Sequence, residues 1–436
     1  MSEPSAIGVR PVWLALQLRL GRYWSSALPA GLRLGGAFLQ LFASVLIARG
    51  LGASSAGGFF FWSMIFMTLG QISTFGLDRL ALQQVPRLRD DPQGLARFLG
   101  GLRMTAVIFA LGIALLVICY SGLVQPEAVR PVWWYVLPPI CIVGVALCMI
   151  NGEVMAGLGR PVLAVLYRHT LNSSMFVLAL VVSASALTPN LALVFFSTAF
   201  LISGLGALRG PGFSLQRSHF VVPSLGEARG YFRKGLPICL SFIFAAMAYL
   251  IPLGILERTH PPAEVSYLAT AFRLFLLFEV LATAVHSLSM PELSRAAHVG
   301  DRQRVWAAYR GTLIKGVVLL VPAMVMTLWL AGPLMGIFGK DFGLEAASIL
   351  RVFLMLGAFS VALGPATHLI LMVGQTRHLA LFAGLRMALT CGASVFFVPQ
   401  YGTGALALIF GVGILIEKGL CLWRCRSALT GGADEG

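Results

Sequence analysis

The chain has 436 residues, of which 58% are hydrophobic and only 11% charged, and its formal net charge is +15. A soluble domain carries about 25% charged residues, which excludes a water-soluble globular protein. A nucleic-acid-binding domain is excluded too, because most of the arginines sit in short loops between apolar stretches rather than on one solvated basic surface.

The mean hydropathy is +0.86, and apolar stretches of about 18 residues or more recur along the chain, each able to cross about 30 Å of hydrocarbon as a helix. In chain order, residues 1–26 read as an amphipathic cytoplasmic segment lying in the membrane interface, with Arg10, Arg19 and Arg22 set among Trp13, Leu14, Leu16, Leu18, Leu20 and Trp24. It has no uninterrupted apolar core and no small-residue cleavage site of the kind a signal peptide carries. Six spans follow, at 27–48, 57–77, 100–121, 132–157, 161–187 and 190–208, making a first lobe over 27–210. A basic cytoplasmic linker, 211–235, leads to a second lobe over 236–425, with spans at 236–256, 265–290, 311–338, 345–373, 379–398 and 404–423, and a cytoplasmic tail over 426–436. The expected fold is all-α and polytopic, with about twelve transmembrane helices in two six-helix bundles. The seven cysteines fall almost entirely inside spans without metal-ligand spacing, so they read as small hydrophobes. No metal, cofactor or disulfide framework is expected. Trp133, Trp134 and Trp423 fall at span ends, where an interfacial aromatic belt would place them.

With the N-terminus inside, 22 of the 32 Lys and Arg fall in cytoplasmic segments, chiefly 78–103, 209–235 and 291–315, while external loops hold only Arg49, Arg130, Arg258 and Lys340. The positive-inside rule therefore places both termini in the cytoplasm. The halves also repeat. Gly157-Leu158-Gly159-Arg160-Pro161 stands between the fourth and fifth spans, and Val373-Gly374-Gln375-Thr376-Arg377 at the matching place in the second half. Glu153 and His368 each lie six residues before a glycine of these loops, and Arg168 and Arg386 each sit about two turns into the next span. Six spans per half give both halves one orientation, so a pseudo-two-fold axis along the membrane normal and a cleft between the bundles follow.

Several short stretches, in order along nearly the whole chain, carry a resemblance. They are Ile47-Ala48-Arg49-Gly50-Leu51-Gly52, Phe75-Gly76-Leu77, Ala271-Phe272-Arg273-Leu274, Pro291-Glu292-Leu293-Ser294, Phe338-Gly339-Lys340-Asp341-Phe342 and Pro399-Gln400-Tyr401-Gly402-Thr403-Gly404. In these the sequence resembles the multidrug/oligosaccharidyl-lipid/polysaccharide exporter superfamily, and within it the polysaccharide-precursor flippases of the Wzx type. The resemblance implies a cavity that opens to one side at a time, a bacterial inner-membrane location, and transport of an undecaprenyl-diphosphate-linked oligosaccharide destined for O-antigen, capsule or exopolysaccharide. It leaves open the identity of the glycan and any association with a polysaccharide polymerase or chain-length regulator.

Ionisable residues inside spans suggest function unless they can snorkel to an interface. Arg33 lies about seven residues into the first span and Arg273 about eight into the eighth. Arg273 matches an arginine that faces the cavity in the resembling lipid II flippases. One arginine from each lobe would offer a diphosphate successive bidentate partners. Arg49, at the outer end of the first span, serves either substrate release or interface anchoring. Glu153, Glu279, His286 and His368 are candidates for ion coupling, with polar packing as the alternative. Glu279 and His286 share one helix face, about 120° away from Arg273. Arg168 and Arg386 read as residues that snorkel to headgroups, with pairing of Glu153 to Arg160 or Arg168 as the alternative reading of that carboxylate.

Two other functions compete. A cation-coupled multidrug exporter of the same superfamily would rely on intramembrane carboxylates, which are scarce in the first half, and a lipid II-type peptidoglycan precursor flippase would share the arginine chemistry. A membrane enzyme needs a sizeable aqueous catalytic segment. The external loops are too short for one, and the cytoplasmic carboxylates form no acid/base or metal motif.

Overall fold

The computed structural model describes residues 12–88, 90–124, 133–209, 225–299, 302–372 and 375–430. Among these, ten helices are long and apolar enough to cross a membrane, and the protein is a multi-pass membrane protein. Two of the ten are too long for one crossing: Leu28–Ser73 has 46 residues and Arg377–Ser427 has 51. At about 1.5 Å per residue either is more than twice the thickness of the hydrocarbon. Each breaks at a glycine, Gly52 (φ 74°, ψ 167°) or Gly402 (φ 60°, ψ −142°), in backbone regions that side chains disfavour. Counting each as two spans gives the twelve expected from hydropathy.

The first lobe comprises α1 (Val12–Ser73), α2 (Leu77–Gln84), α3 (Pro92–Val124), α4 (Trp133–Gly157), α5 (Pro161–Val165), a π-helical turn (Leu166–Thr170), α6 (Leu171–Val182) and α7 (Pro189–Gly206). The second comprises α8 (Leu225–Thr259), α9 (Pro262–Val299), α10 (Arg302–Trp329), α11 (Ala331–Gly336), α12 (Glu345–Ala362), α13 (Ala366–Met372) and α14 (Thr376–Thr430). Helices thus extend well into the segments read as basic loops. Within the first lobe α4 and α7 approach backbone to backbone: a Cβ on Gly144 would sit 2.6 Å from the Leu201 nitrogen, and one on Gly204 would sit 2.9 Å from the Gly144 carbonyl oxygen. Small residues allow this contact, which matters in lipid, where no hydrophobic gain separates helix–helix from helix–lipid packing. Trp134 departs from the expected interfacial belt. It is buried against Trp62, ring centroids 4.5 Å apart, because the first half of α4 packs on α1 there.

The two lobes share their most extensive described contact at the end of the bundle that carries Gly52, and α2 also touches α8 beside the cavity. There one apolar cluster is shared, with Ala48, Ala53 and Phe61 of the first lobe packed among Leu256, Leu268, Phe338 and Phe342 of the second. Polar links reinforce it: Arg49 Nε donates to the Ile337 carbonyl at 2.7 Å, Ser266 Oγ to the Ala53 carbonyl, and Arg258 donates to the Tyr120 hydroxyl at 2.9 Å. At the other end, near Asp78, each lobe keeps an apolar cluster of its own, around Leu77, Leu99 and Val154 in the first and around Tyr309, Leu369 and Cys421 in the second. A cavity lies between the lobes.

Candidate functional site: an arginine-lined cavity between the lobes

The cavity has a volume of about 270 Å³ and draws its walls from both lobes. On α1 the first half contributes Arg33, Gly36, Ala37 and Gln40, and the second half Met67 and Gln71, with Thr74 in the turn just after it. These positions recur at three- and four-residue intervals, so each set is one face of a helix. Asp78 and Arg79 continue the second face onto α2. The π-helical turn supplies Arg168 and His169, and α6 supplies Asn172 and Ser173. A π turn widens the helix by a residue, and such turns are frequent at functional sites. Here it lets two consecutive residues reach the same space. The turn is held close to α1: Thr170 Oγ1 donates to the Leu32 carbonyl at 2.9 Å, and a Cβ on Gly36 would stand 3.0 Å from the His169 carbonyl oxygen. From the second lobe α9 adds Arg273, Leu276, Leu277 and Val280, and α8 adds Phe242.

Four guanidinium groups therefore converge on one space. Arg273 is fixed by a hydrogen bond donated from Nη1 to Ser44 Oγ and by its position over the Phe60 ring, 4.4 Å from guanidinium carbon to centroid. Both partners belong to α1, so this arginine of the second lobe is docked onto the first. Arg168 pairs with Glu153, and Arg79 lies 3.6 Å from the same carboxylate oxygen. Arg33 sits in the field of Arg168, Arg79 and Glu153, and no described side chain hydrogen-bonds to it. Against these four cations stand Glu153 and Asp78, the latter accepting a 3.4 Å hydrogen bond from Thr74 Oγ1 and standing 3.9 Å from Arg79. The site keeps a formal excess of two positive charges among the described residues. Arg168 also holds a buried Nε with no hydrogen-bond partner there, a spare donor.

The remaining candidates are distributed differently. Arg33 and Arg273 both line the cavity, but Arg49 lies outside it, in the contact between lobes. Glu153 flanks the cavity as the partner of Arg168 and Arg79. Glu279 is not part of the wall; its charge bears on Lys418 of α14, whose Nζ donates to Ser360 Oγ at 2.6 Å. His286 and His368 lie on α9 and α13, and their side chains fall outside the described ones. Arg168 and Arg386 do not snorkel. Each turns inward to a carboxylate, Arg168 to Glu153 of α4 and Arg386 to Glu417 beyond the Gly402 break of its own helix at 2.6 Å, because a carboxylate on a packed segment compensates a guanidinium better than a long reach to the headgroups. Sequence reasoning missed Arg79, His169 and the polar stripe of Gln40, Gln71, Thr74 and Asn172. The signal was present as polar residues at helical spacing from Arg33, Asp78 and Arg168.

The described residues thus form a two-lobed membrane bundle with a charged cavity between the lobes. No known protein family matches the sequence, and no curated protein is detectably similar to it. Solved structures nevertheless share the fold. An inward-facing multidrug resistance MATE family transporter of the MOP superfamily aligns with a TM-score of 0.73 over 91% of this chain and 95% of that one, at 13% identity. The lipid II flippase MurJ in an inward closed conformation aligns at 0.68 over 90% and 86%, with 16% identity. A MOP superfamily transporter from Pyrococcus furiosus, described as having a binding pocket of reversed polarity that suggests a different function, aligns at 0.61 over 93% and 96%, with 15% identity. An outward-facing MATE family transporter aligns at 0.63. The chain thus has the fold of the MOP superfamily transporters, which is the superfamily its motifs resemble.

Proposed function

We propose that this protein is a flippase that carries an undecaprenyl-diphosphate-linked oligosaccharide, a repeat unit of O-antigen, capsule or exopolysaccharide, from the cytoplasmic to the periplasmic leaflet of a bacterial inner membrane. The reading takes the Asp78 end as cytoplasmic, in accord with the positive-inside rule. One observation carries it: four arginines from both lobes line the cavity, and the two carboxylates beside them are already engaged by Arg79 and Arg168. An organic cation entering this site would meet a net positive wall and would have to break ion pairs to reach a carboxylate. A diphosphate meets forked donors that match its oxygens. The apolar residues Leu276, Leu277 and Phe242 beside Arg273 suit the first units of a prenyl chain.

Binding separates the readings. The purified protein in detergent should be stabilised against heat by undecaprenyl diphosphate, less by undecaprenyl monophosphate, and not by undecaprenol or by lipophilic organic cations. Arg33→Ala combined with Arg273→Ala should remove the diphosphate effect. Stabilisation by organic cations alone would transfer the assignment to a drug exporter. Competition among diphosphate-linked glycans, peptidoglycan precursor included, then identifies the sugar.

A further inference from the structure

A second, larger hollow lies in the second lobe, away from the central cavity. Its volume is about 940 Å³, and it runs between the first three turns of α10 and the last turns of α14, floored by Leu363 just after α12. On α10 the lining residues Arg302, Trp306, Arg310 and Leu313 follow helical spacing, and on α14 so do Gly419, Leu422, Trp423 and Arg426. Two amphipathic faces therefore confront each other across a groove. Three arginines rim it, no carboxylate lines it among the described residues, and toward the membrane interior the lining changes to leucine. Trp423 is 64% exposed on its edge. Gly419 borders the open space of the groove: a Cβ there would meet nothing within 4 Å. Its wall is firm, since Tyr309 donates its hydroxyl hydrogen to the Leu363 carbonyl and stacks edge-on against Trp306 at 5.6 Å.

We propose that this groove is a binding site for one anionic phospholipid of the leaflet at the Asp78 end. The lipid phosphate lies beside Arg302 and Arg310, and an acyl chain follows Leu313, Leu363 and Leu422 inward. Charge complementarity selects the occupant: arginine rim, tryptophan at the level of the headgroups, and apolar floor match, in that order, the phosphate, glycerol and acyl layers of a single lipid. A zwitterionic lipid offers the same tail and no net charge. A free phosphate offers the charge and leaves the apolar floor unused. The site is independent of the central cavity and of what that cavity carries.

The test is native mass spectrometry of the full chain in detergent, titrated with phosphatidylglycerol or phosphatidylcholine. Wild-type protein should retain one phosphatidylglycerol with about tenfold or greater preference over phosphatidylcholine. Arg302→Gln together with Arg310→Gln should erase the preference. Gly419→Leu, which fills the groove and leaves every charge in place, should reduce retention of both lipids, while Arg33→Ala should change neither. Excess inorganic phosphate should not displace the bound lipid. Equal retention of the two lipids by wild-type protein, undiminished preference in the double glutamine variant, or displacement by inorganic phosphate would overturn the proposal.

Discussion

Glu153 and Arg168 form an ion pair at the wall of the central cavity, one residue from α4 and the other from the π-helical turn, and Arg79 approaches the same carboxylate oxygen to 3.6 Å. A single anion thus holds two cations at the place where an anionic headgroup would enter. Glu153 is an internal counter-charge, and its removal leaves two guanidiniums facing each other across the site.

Glu153→Gln should therefore destabilise the empty protein. Removing one partner of a buried pair costs about 3–5 kcal/mol, and the lower end applies because Arg168 and Arg79 retain some exposure. An added diphosphate should restore part of the loss by taking the place of the carboxylate. Thermal unfolding with and without inorganic pyrophosphate measures this: the ligand should raise the melting temperature of the variant more than that of the wild type. An equal rise in both would mean that Glu153 does not stand where the phosphate binds.

Arg273 owes its position to Ser44 and Phe60, so its replacement should alter binding without unfolding the lobe. Arg273→Ala and Arg273→Glu should abolish surface-glycan production while the protein still reaches the membrane. Arg273→Lys should retain a part of it, because lysine keeps the charge and loses the fork. A charge-assisted contact of this kind is worth about 1.5–3 kcal/mol, or tenfold and upward in affinity. Full glycan levels in the alanine variant would remove Arg273 from the site.

Gly57 controls the closed end. A Cβ there would lie 2.1 Å from the Pro262 carbonyl oxygen, so any side chain must push the lobes apart at that end. Gly57→Val should shift the population toward the conformation open on the Gly52 side. A cysteine placed at Gln40, on the cavity wall, should then become more reactive to a membrane-impermeant thiol reagent added from that side. No gain in labelling would show that this contact does not hold the lobes closed.

Orientation is tested by the same chemistry. Asp341 is exposed beside α11 at the Gly52 end, and Arg302 is exposed at the opposite end. Asp341→Cys should react with an impermeant reagent on intact cells and Arg302→Cys only after permeabilisation. The reverse pattern would invert the topology. Glu127, another external marker by sequence, lies outside the described residues.

Much of the fold could be read from hydropathy alone, because in lipid the backbone must satisfy itself and only helices of sufficient length remain. The twelve spans follow from that constraint, although Gly52 and Gly402 join pairs of them into kinked rods that hydropathy cannot distinguish from loops. Arg33 and Arg273 were legible as costly charges in apolar stretches. The Arg168–Glu153 pair was one of two alternatives open in the sequence, whereas the Arg386–Glu417 pair was not legible, because depth along a helix indicates how far a side chain is from the interface and not whether a carboxylate waits on the segment beside it. Arg79 was hidden differently: the sequence places it in a basic loop, and only the break at Phe75 and Gly76, both at positive φ, turns α2 so that Asp78 and Arg79 return to the cavity.

Transport itself tests the central claim. A diphosphate carries about two negative charges outward from a negative interior, and the membrane potential supplies about 2.3 kcal/mol per charge per 100 mV, so about 4.6 kcal/mol is available if the whole field is crossed. The measurement is transfer of a fluorescent undecaprenyl-diphosphate-linked sugar between leaflets of proteoliposomes, with a potential imposed by potassium and valinomycin. Wild-type protein should transfer the lipid, slow when the potential is collapsed, and fall to the protein-free rate in the Arg33→Ala, Arg273→Ala double variant. Transfer by the double variant at the wild-type rate, or no transfer by wild-type protein in vesicles where it expels an organic cation, would contradict the assignment.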